Sequence, residues 1–145
     1  FSNGLQLLNM MPAGYDLEYV NTLLQTLGNT GRQMYLTKQI PVDMIYPLLF
    51  GISYAAVLAY FLKKLPGLNQ NYLYLCLLPV IAGIADYFEN IGIVTMLNAY
   101  PTVTETSVHL TSIFSIIKSS ATSIYFLVLI VALIVLGYRT LKPKG

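Results

Sequence analysis

The chain has 145 residues, 56% of them hydrophobic and only 10% charged, and its mean hydropathy is +0.64. Soluble domains carry about 25% charged residues, so this composition argues against a water-soluble fold and for an integral membrane protein. The net charge of +2 is too small for a nucleic-acid footprint, and the single cysteine, Cys76, excludes an intrachain disulfide and a multi-cysteine metal centre.

The first forty residues are the least apolar part. Within them, YDLEYVNTLLQTLGNTG reads as an amphipathic helix. Asp16 is its N-cap, Leu17, Val20, Leu23, Leu24 and Leu27 recur on one face, and Gly28 is its C-terminal stop. It is too short to span a bilayer and is expected to lie on the membrane surface or to cap a bundle. TGRQMYLTKQIP then restarts from Thr30 and leads, past Pro41, into the first long apolar run.

Three such runs follow, over residues 42–62, 72–97 and 109–138. Each supplies the roughly 20 apolar residues that a crossing requires. Pro47, Pro79, Gly51, Gly83 and Gly92 lie inside them, where kinks or close helix contacts are expected. The linkers are short, and many of the 12 tyrosines sit near segment ends, where an amphipathic ring suits the interface. Cys76 reads as a small packing residue, and His109, at a loop–helix border, as an exposed interfacial side chain. The expected fold is therefore an all-α integral membrane bundle of three transmembrane helices plus an N-terminal amphipathic interfacial helix.

Lys and Arg set the expected orientation. Lys63 and Lys64 follow the first run, Arg139, Lys142 and Lys144 follow the third, and the 98–108 loop has neither residue type. The 63–71 loop and the C-terminus are accordingly placed on the cytoplasmic side, and residues 1–40 with the 98–108 loop on the opposite side. An N-terminus outside needs delivery, and the chain starts with Phe1. A preceding first transmembrane helix, four in the full protein, is expected in preference to a cleaved signal.

Charge inside the apolar runs is the unusual feature. Asp86, Glu89 and Asn90 are spaced i, i+3, i+4 and share one helical face. The third run has a stripe of Thr111, Ser115, Lys118, Ser119 and Thr122, and the first offers Asp43, Tyr46, Gly51 and Tyr54. If neighbouring runs are antiparallel, depth can be counted from their ends. Glu89 lies eight residues before Leu97, and Lys118 nine after His109. Asp43 lies 19 before Leu62, and Glu89 17 after Tyr72. Three acids and one lysine from three helices thus fall at one level, where a lone charge would cost roughly 2.5–3.5 kcal/mol. Arg32 is placed to fold back onto the same layer. Two readings stand: a structural ion pair that fixes helix register, or a site for a ligand, proton or ion. One His and no cysteine cluster do not make a zinc site, and Lys118 in the layer argues against a hard cation held by the carboxylates. No nucleotide-binding loop or catalytic triad is apparent.

Over about residues 15–130 the chain resembles a poorly characterised family of small prokaryotic four-helix integral membrane proteins. The resemblance is carried by Gly31, Arg32 and Tyr35, by Asp43 and Pro47, by Asp86, Glu89 and Asn90, and by Lys118 in the last helix. It implies a fold with a further transmembrane helix ahead of the amphipathic segment, and it implies no activity.

For function, small size, short loops and no catalytic signature point first to an accessory subunit of a larger membrane complex, with lipids and other membrane subunits as partners. The alternative is a hydrophobic-ligand-binding protein or small membrane enzyme that uses the Asp/Glu/Lys cluster, with bound lipid as the one ligand to expect. Proton or ion translocation ranks third, since three helices are few for a transport path.

Overall fold

The computed structural model describes residues 2–65 and 70–141. Lys142 and Lys144, used above for orientation, lie outside the described residues, as do 66–69 of the first loop. Helix is the one regular secondary structure among the described residues, with no strand. The helices are α1 (Leu17–Met34), α2 (Ile40–Lys63), α3 (Leu78–Ala99) and α4 (Glu105–Leu141). Three helical stretches are long and apolar enough to cross a membrane, Leu17–Lys63, Asn71–Ala99 and Glu105–Leu141. Many of their Ile, Leu, Val and Phe side chains face outward, which suits a hydrocarbon surround and is consistent with an integral membrane protein.

α1 starts where Asp16 accepts a hydrogen bond from the Tyr19 amide at 2.8 Å. Val20, Leu23 and Leu24 are fully buried and Leu27 nearly so. They pack with Ile93, Met96 and Leu97 of α3 and Val108 of α4. Of the two places open to this leucine face, the structure has it closing one end of the bundle. Gly28 then breaks the helix at φ 62°, ψ −176°, a conformation that glycine alone adopts without strain. Arg32 reaches back over the break: Nη1 donates to the Leu24 carbonyl at 2.6 Å and Nη2 to Asn29, and the guanidinium lies 4.2 Å from the Tyr100 ring centroid. It thereby satisfies a last-turn carbonyl left without a helical partner. Arg32 does not fold onto the polar layer.

From the break onward the chain stays helical into α2. A π-type turn at Tyr35–Gln39 joins the two, so the helix feeding the first apolar run begins well before residue 42, and Pro41 sits in its first turn. The second run opens as 3-10 turns at Gln70–Leu77, and Pro79 heads α3. α4, at 37 residues, is about 55 Å long at 1.5 Å per residue. It exceeds a hydrocarbon core of about 30 Å, so part of it is free to project past the core.

α3 lies between α2 and α4. Its contact with α2 rests on two matching motifs, Pro47-x-x-x-Gly51 and Pro79-x-x-x-Gly83. A Cβ added at Gly83 would sit 2.9 Å from the Pro47 carbonyl oxygen, and one at Gly51 would sit 3.4 Å from the Pro79 carbonyl oxygen. The antiparallel helices thus cross with each glycine against the other's proline, the close approach that small residues permit. At the far end Leu58, Leu62, Tyr125 and Ala132 form a second apolar cluster, and Phe50, Ala82 and Ala121 a third between the ends.

Candidate functional site

The polar layer forms where α2, α3 and α4 pass the α1 end of the bundle. Helical spacing puts Asp86, Glu89 and Asn90 on the α3 face turned towards its neighbours, and Glu89 and Asn90 have no exposed surface. Lys118 of α4 meets them. Its Nζ lies 3.3 Å from Asp86 Oδ1 and forms a close ion pair with Glu89 Oε2. Its third acceptor is the Asn9 carbonyl, at 3.2 Å. An ammonium has three N–H groups, so Lys118 is saturated.

Asp43 enters from α2 by a different route. In an α-helix its carbonyl would accept from the amide of residue 47, but that residue is Pro47, which has none. Asn90 Nδ2 donates to the Asp43 carbonyl instead, at 3.3 Å. The Asp43 carboxylate accepts from Asn9 Nδ2 at 2.8 Å and from Gln39 Nε2 at 3.1 Å. It has no cationic partner among the described residues.

Asn9 is the residue that sequence reasoning missed. It lies in the segment before α1, in a short 3-10 turn at Leu8–Met10, and this segment straps across α4. Tyr35 donates its hydroxyl hydrogen to Asn9 Oδ1 at 2.8 Å. Ser115 donates to the Met11 carbonyl at 2.8 Å and Ser119 to the Pro12 carbonyl at 2.7 Å. The Tyr15 amide donates to Ser112 Oγ at 2.9 Å. Two hydroxyls of the stripe read on the third apolar run, Ser115 and Ser119, therefore serve the strap, while Thr111 donates to the Ser107 carbonyl of its own helix. The reason is that a non-helical chain carries free carbonyls, and burial obliges each to find a donor. Burial of the Tyr15 hydroxyl under this strap, together with the nearby Glu89 carboxylate, holds it well above the usual phenol range. That hydroxyl, Glu89 Oε1 and Asn90 Oδ1 are buried without protein partners among the described residues.

Other sequence candidates fall outside the layer's contacts. Tyr54 stacks on Phe50, with centroids 4.4 Å apart, and meets Tyr125 edge-on at 5.4 Å. Tyr46 is largely exposed and stacks on Phe50 at 5.6 Å. Tyr35 reaches the layer only through Asn9.

Between α2 and α4, with α3 as its floor and Asn9 at one end, lies a cavity of about 500 Å³. Asp43, Asp86, Lys118, Ser119 and Thr122 give it a polar wall. Pro47, Phe50, Ala82 and Gly83 give it an apolar one, and the exposed residues Tyr46 and Ser123 mark its rim. Glu89 and Asn90 do not line it; they stand behind Lys118 and Asp43. Such a volume, mostly apolar with a few convergent polar groups, has the make-up of a small-molecule site. Among the described residues no group of three His, Cys, Asp or Glu is gathered to hold a metal ion.

Asn9 is also the pin of the strap. Asn9→Leu removes its side-chain bonds to the half-buried Asp43 and the buried Tyr35, so a loss of about 1–3 kcal/mol is expected. Thermal unfolding in lipid nanodiscs and limited proteolysis of residues 2–16 check it. Unchanged stability and unchanged cleavage would mean that Asn9 does not hold the strap.

Comparisons with protein-family models, with curated proteins and with solved structures return no match for this chain; the family resemblance rests on the motif residues alone.

Proposed function

We propose that this chain is a multi-pass membrane protein that binds an amphiphilic small molecule in the cavity between α2 and α4, with the ligand's polar group on the Asp43/Asp86/Lys118 wall. The observation that carries this reading is the cavity itself, about 500 Å³ with charged side chains on one wall and aromatic and aliphatic ones on the other. An ion pair that only fixed helix register would be best served by a closed, fully packed layer, since burial without space excludes water and strengthens the pair. An accessory-subunit role, to which small size and short loops point, gives no use for that space. The exposed rim at Tyr46 and Ser123 suits access from the side of the bundle, as a lipid-soluble molecule would need. The basic residues Lys63, Lys64 and Arg139 place the α2–α3 loop and the end of α4 in the cytoplasm in this reading, and the strap and Asp43 in the outer half.

The test is co-purification. The protein is extracted from its native membrane, and bound small molecules are identified by mass spectrometry. The same is done for Thr122→Phe, which fills the cavity from its α4 wall. The wild type is expected to retain a defined amphiphile near stoichiometric amount and Thr122→Phe to lose it, with thermal stability preserved. Identical lipid profiles for the two proteins would remove the reading, and a stoichiometric protein partner in place of a ligand would favour the subunit role.

A further inference from the structure

The hydrogen-bond inventory of the cavity wall says more than that a ligand fits. The wall has one cation, and it is fully engaged. Lys118 Nζ serves the Asn9 carbonyl, Asp86 Oδ1 and Glu89 Oε2, which uses its three N–H groups. The Ser119 hydroxyl is committed to the Pro12 carbonyl.

Acceptors, in contrast, are in surplus. Asp86 uses Oδ1 on Lys118 and has no partner for Oδ2 among the described residues. Asp43 is held by the neutral amides of Asn9 and Gln39 alone. Among the described residues both ion pairs are made by Lys118, which leaves three carboxyl groups to one ammonium. An anionic head group placed here would face two carboxylates and no free donor on Lys118. A cation with N–H groups would find unoccupied carboxylate lone pairs on two helices, α2 and α3.

We infer that the cavity recognises the protonated amino group of an amphiphilic amine, its N–H groups donating to Asp86 and Asp43 and its apolar body lying along Pro47, Phe50 and Ala82. The inference rests on the ligand-binding reading above and specifies the charge class of the ligand. The Tyr46–Phe50 stack at the cavity wall adds ring faces to which a cation is attracted. Two sources share this chemistry, a long-chain amine delivered through the bilayer and a water-soluble aromatic amine.

The experiment uses the whole chain in phosphatidylcholine nanodiscs at pH 7 with radiolabelled dodecylamine, and counts saturable binding above that of empty discs. Competitors are dodecanol, dodecyl phosphate and tyramine. Dodecylamine is expected to bind about tenfold or more tighter than dodecanol, because charge-assisted hydrogen bonds separate the two, with dodecyl phosphate weaker still. Asp86→Asn is expected to reduce amine binding about tenfold and to leave dodecanol unchanged. The head-group comparison on the wild type stands even if that variant fails to fold. Tyramine competing as well as dodecylamine assigns an aqueous source, and failing to compete assigns a membrane one; both support the inference. Dodecanol binding as tightly as dodecylamine, or dodecyl phosphate binding most tightly, overturns the amine class and leaves the ligand-binding reading in place. Absence of saturable dodecylamine binding overturns the amine class, and the co-purification experiment above judges the ligand-binding reading separately.

Discussion

Replacing Lys118 by Met is expected to destabilise the bundle by about 3 kcal/mol or more, because it strips the cation from a carboxylate with no exposed surface. Among the described residues Glu89 has no other partner that carries positive charge: its Oε2 pairs with Lys118 and its Oε1 has no hydrogen-bond partner. Lys118 also gathers Asp86 and the strap carbonyl of Asn9, so α3, α4 and the N-terminal segment all lose a shared contact. The double variant Glu89→Gln with Lys118→Met removes the buried charge together with its partner. It is therefore expected to recover a large part of the loss, although the Asn9 carbonyl still lacks its donor. Reversible unfolding of the four proteins in nanodiscs or mixed micelles gives the cycle. A double variant as unstable as Lys118→Met alone would show that the Lys118–Glu89 pairing does not carry the effect.

Gly83→Leu is expected to be the second damaging substitution, at about 1–3 kcal/mol or above, the range of overpacking in a close contact. Its Cβ alone would stand 2.9 Å from the Pro47 carbonyl oxygen, and that neighbour is main chain. It cannot swing aside as a side-chain tip can, so α2 and α3 must separate or tilt. Separation would also stretch the Asn90–Asp43 hydrogen bond at 3.3 Å and reshape the cavity floor, so ligand retention and stability should fall together. Gly137→Leu is the control. Nothing lies within 4 Å of a Cβ at Gly137, and leucine is the better helix former, so little change or a small gain is expected. Equal thermal stability of Gly83→Leu and Gly137→Leu would mean that the glycine–proline crossing does not set the α2–α3 distance.

Much of the framework could be read along the chain, and the reasons are physical. Hydropathy picks out three spans because a crossing needs about 20 apolar residues whatever their partners. The i, i+3, i+4 spacing puts Asp86, Glu89 and Asn90 on one face because helical geometry is local. Lys118 could be matched to them by depth, since charges in an apolar surround are costly unless paired at one level. Gly28 was legible as a helix stop, and the two Pro-x-x-x-Gly motifs were visible without showing that each glycine faces the other's proline.

The remainder was decided by tertiary structure. Arg32 stands eleven residues before Asp43, yet it turns back to the carbonyl of Leu24 and to Tyr100, because the Gly28 break leaves a helix end with acceptors to satisfy. The hydroxyls of Ser115 and Ser119 were visible as part of a polar stripe, but the strap they hold was not. The strap itself has no periodic signal: its carbonyls at Asn9, Met11 and Pro12 bind α4, and a main-chain carbonyl is the same for every residue type. The cavity is of the same kind, since space between α2 and α4 depends on how far apart two helices are held by a third. The sequence by itself determined which side chains carry charge into the bundle and at what depth; only the packed structure decided which backbone closes over them and which lone pairs on Asp43 and Asp86 stay free.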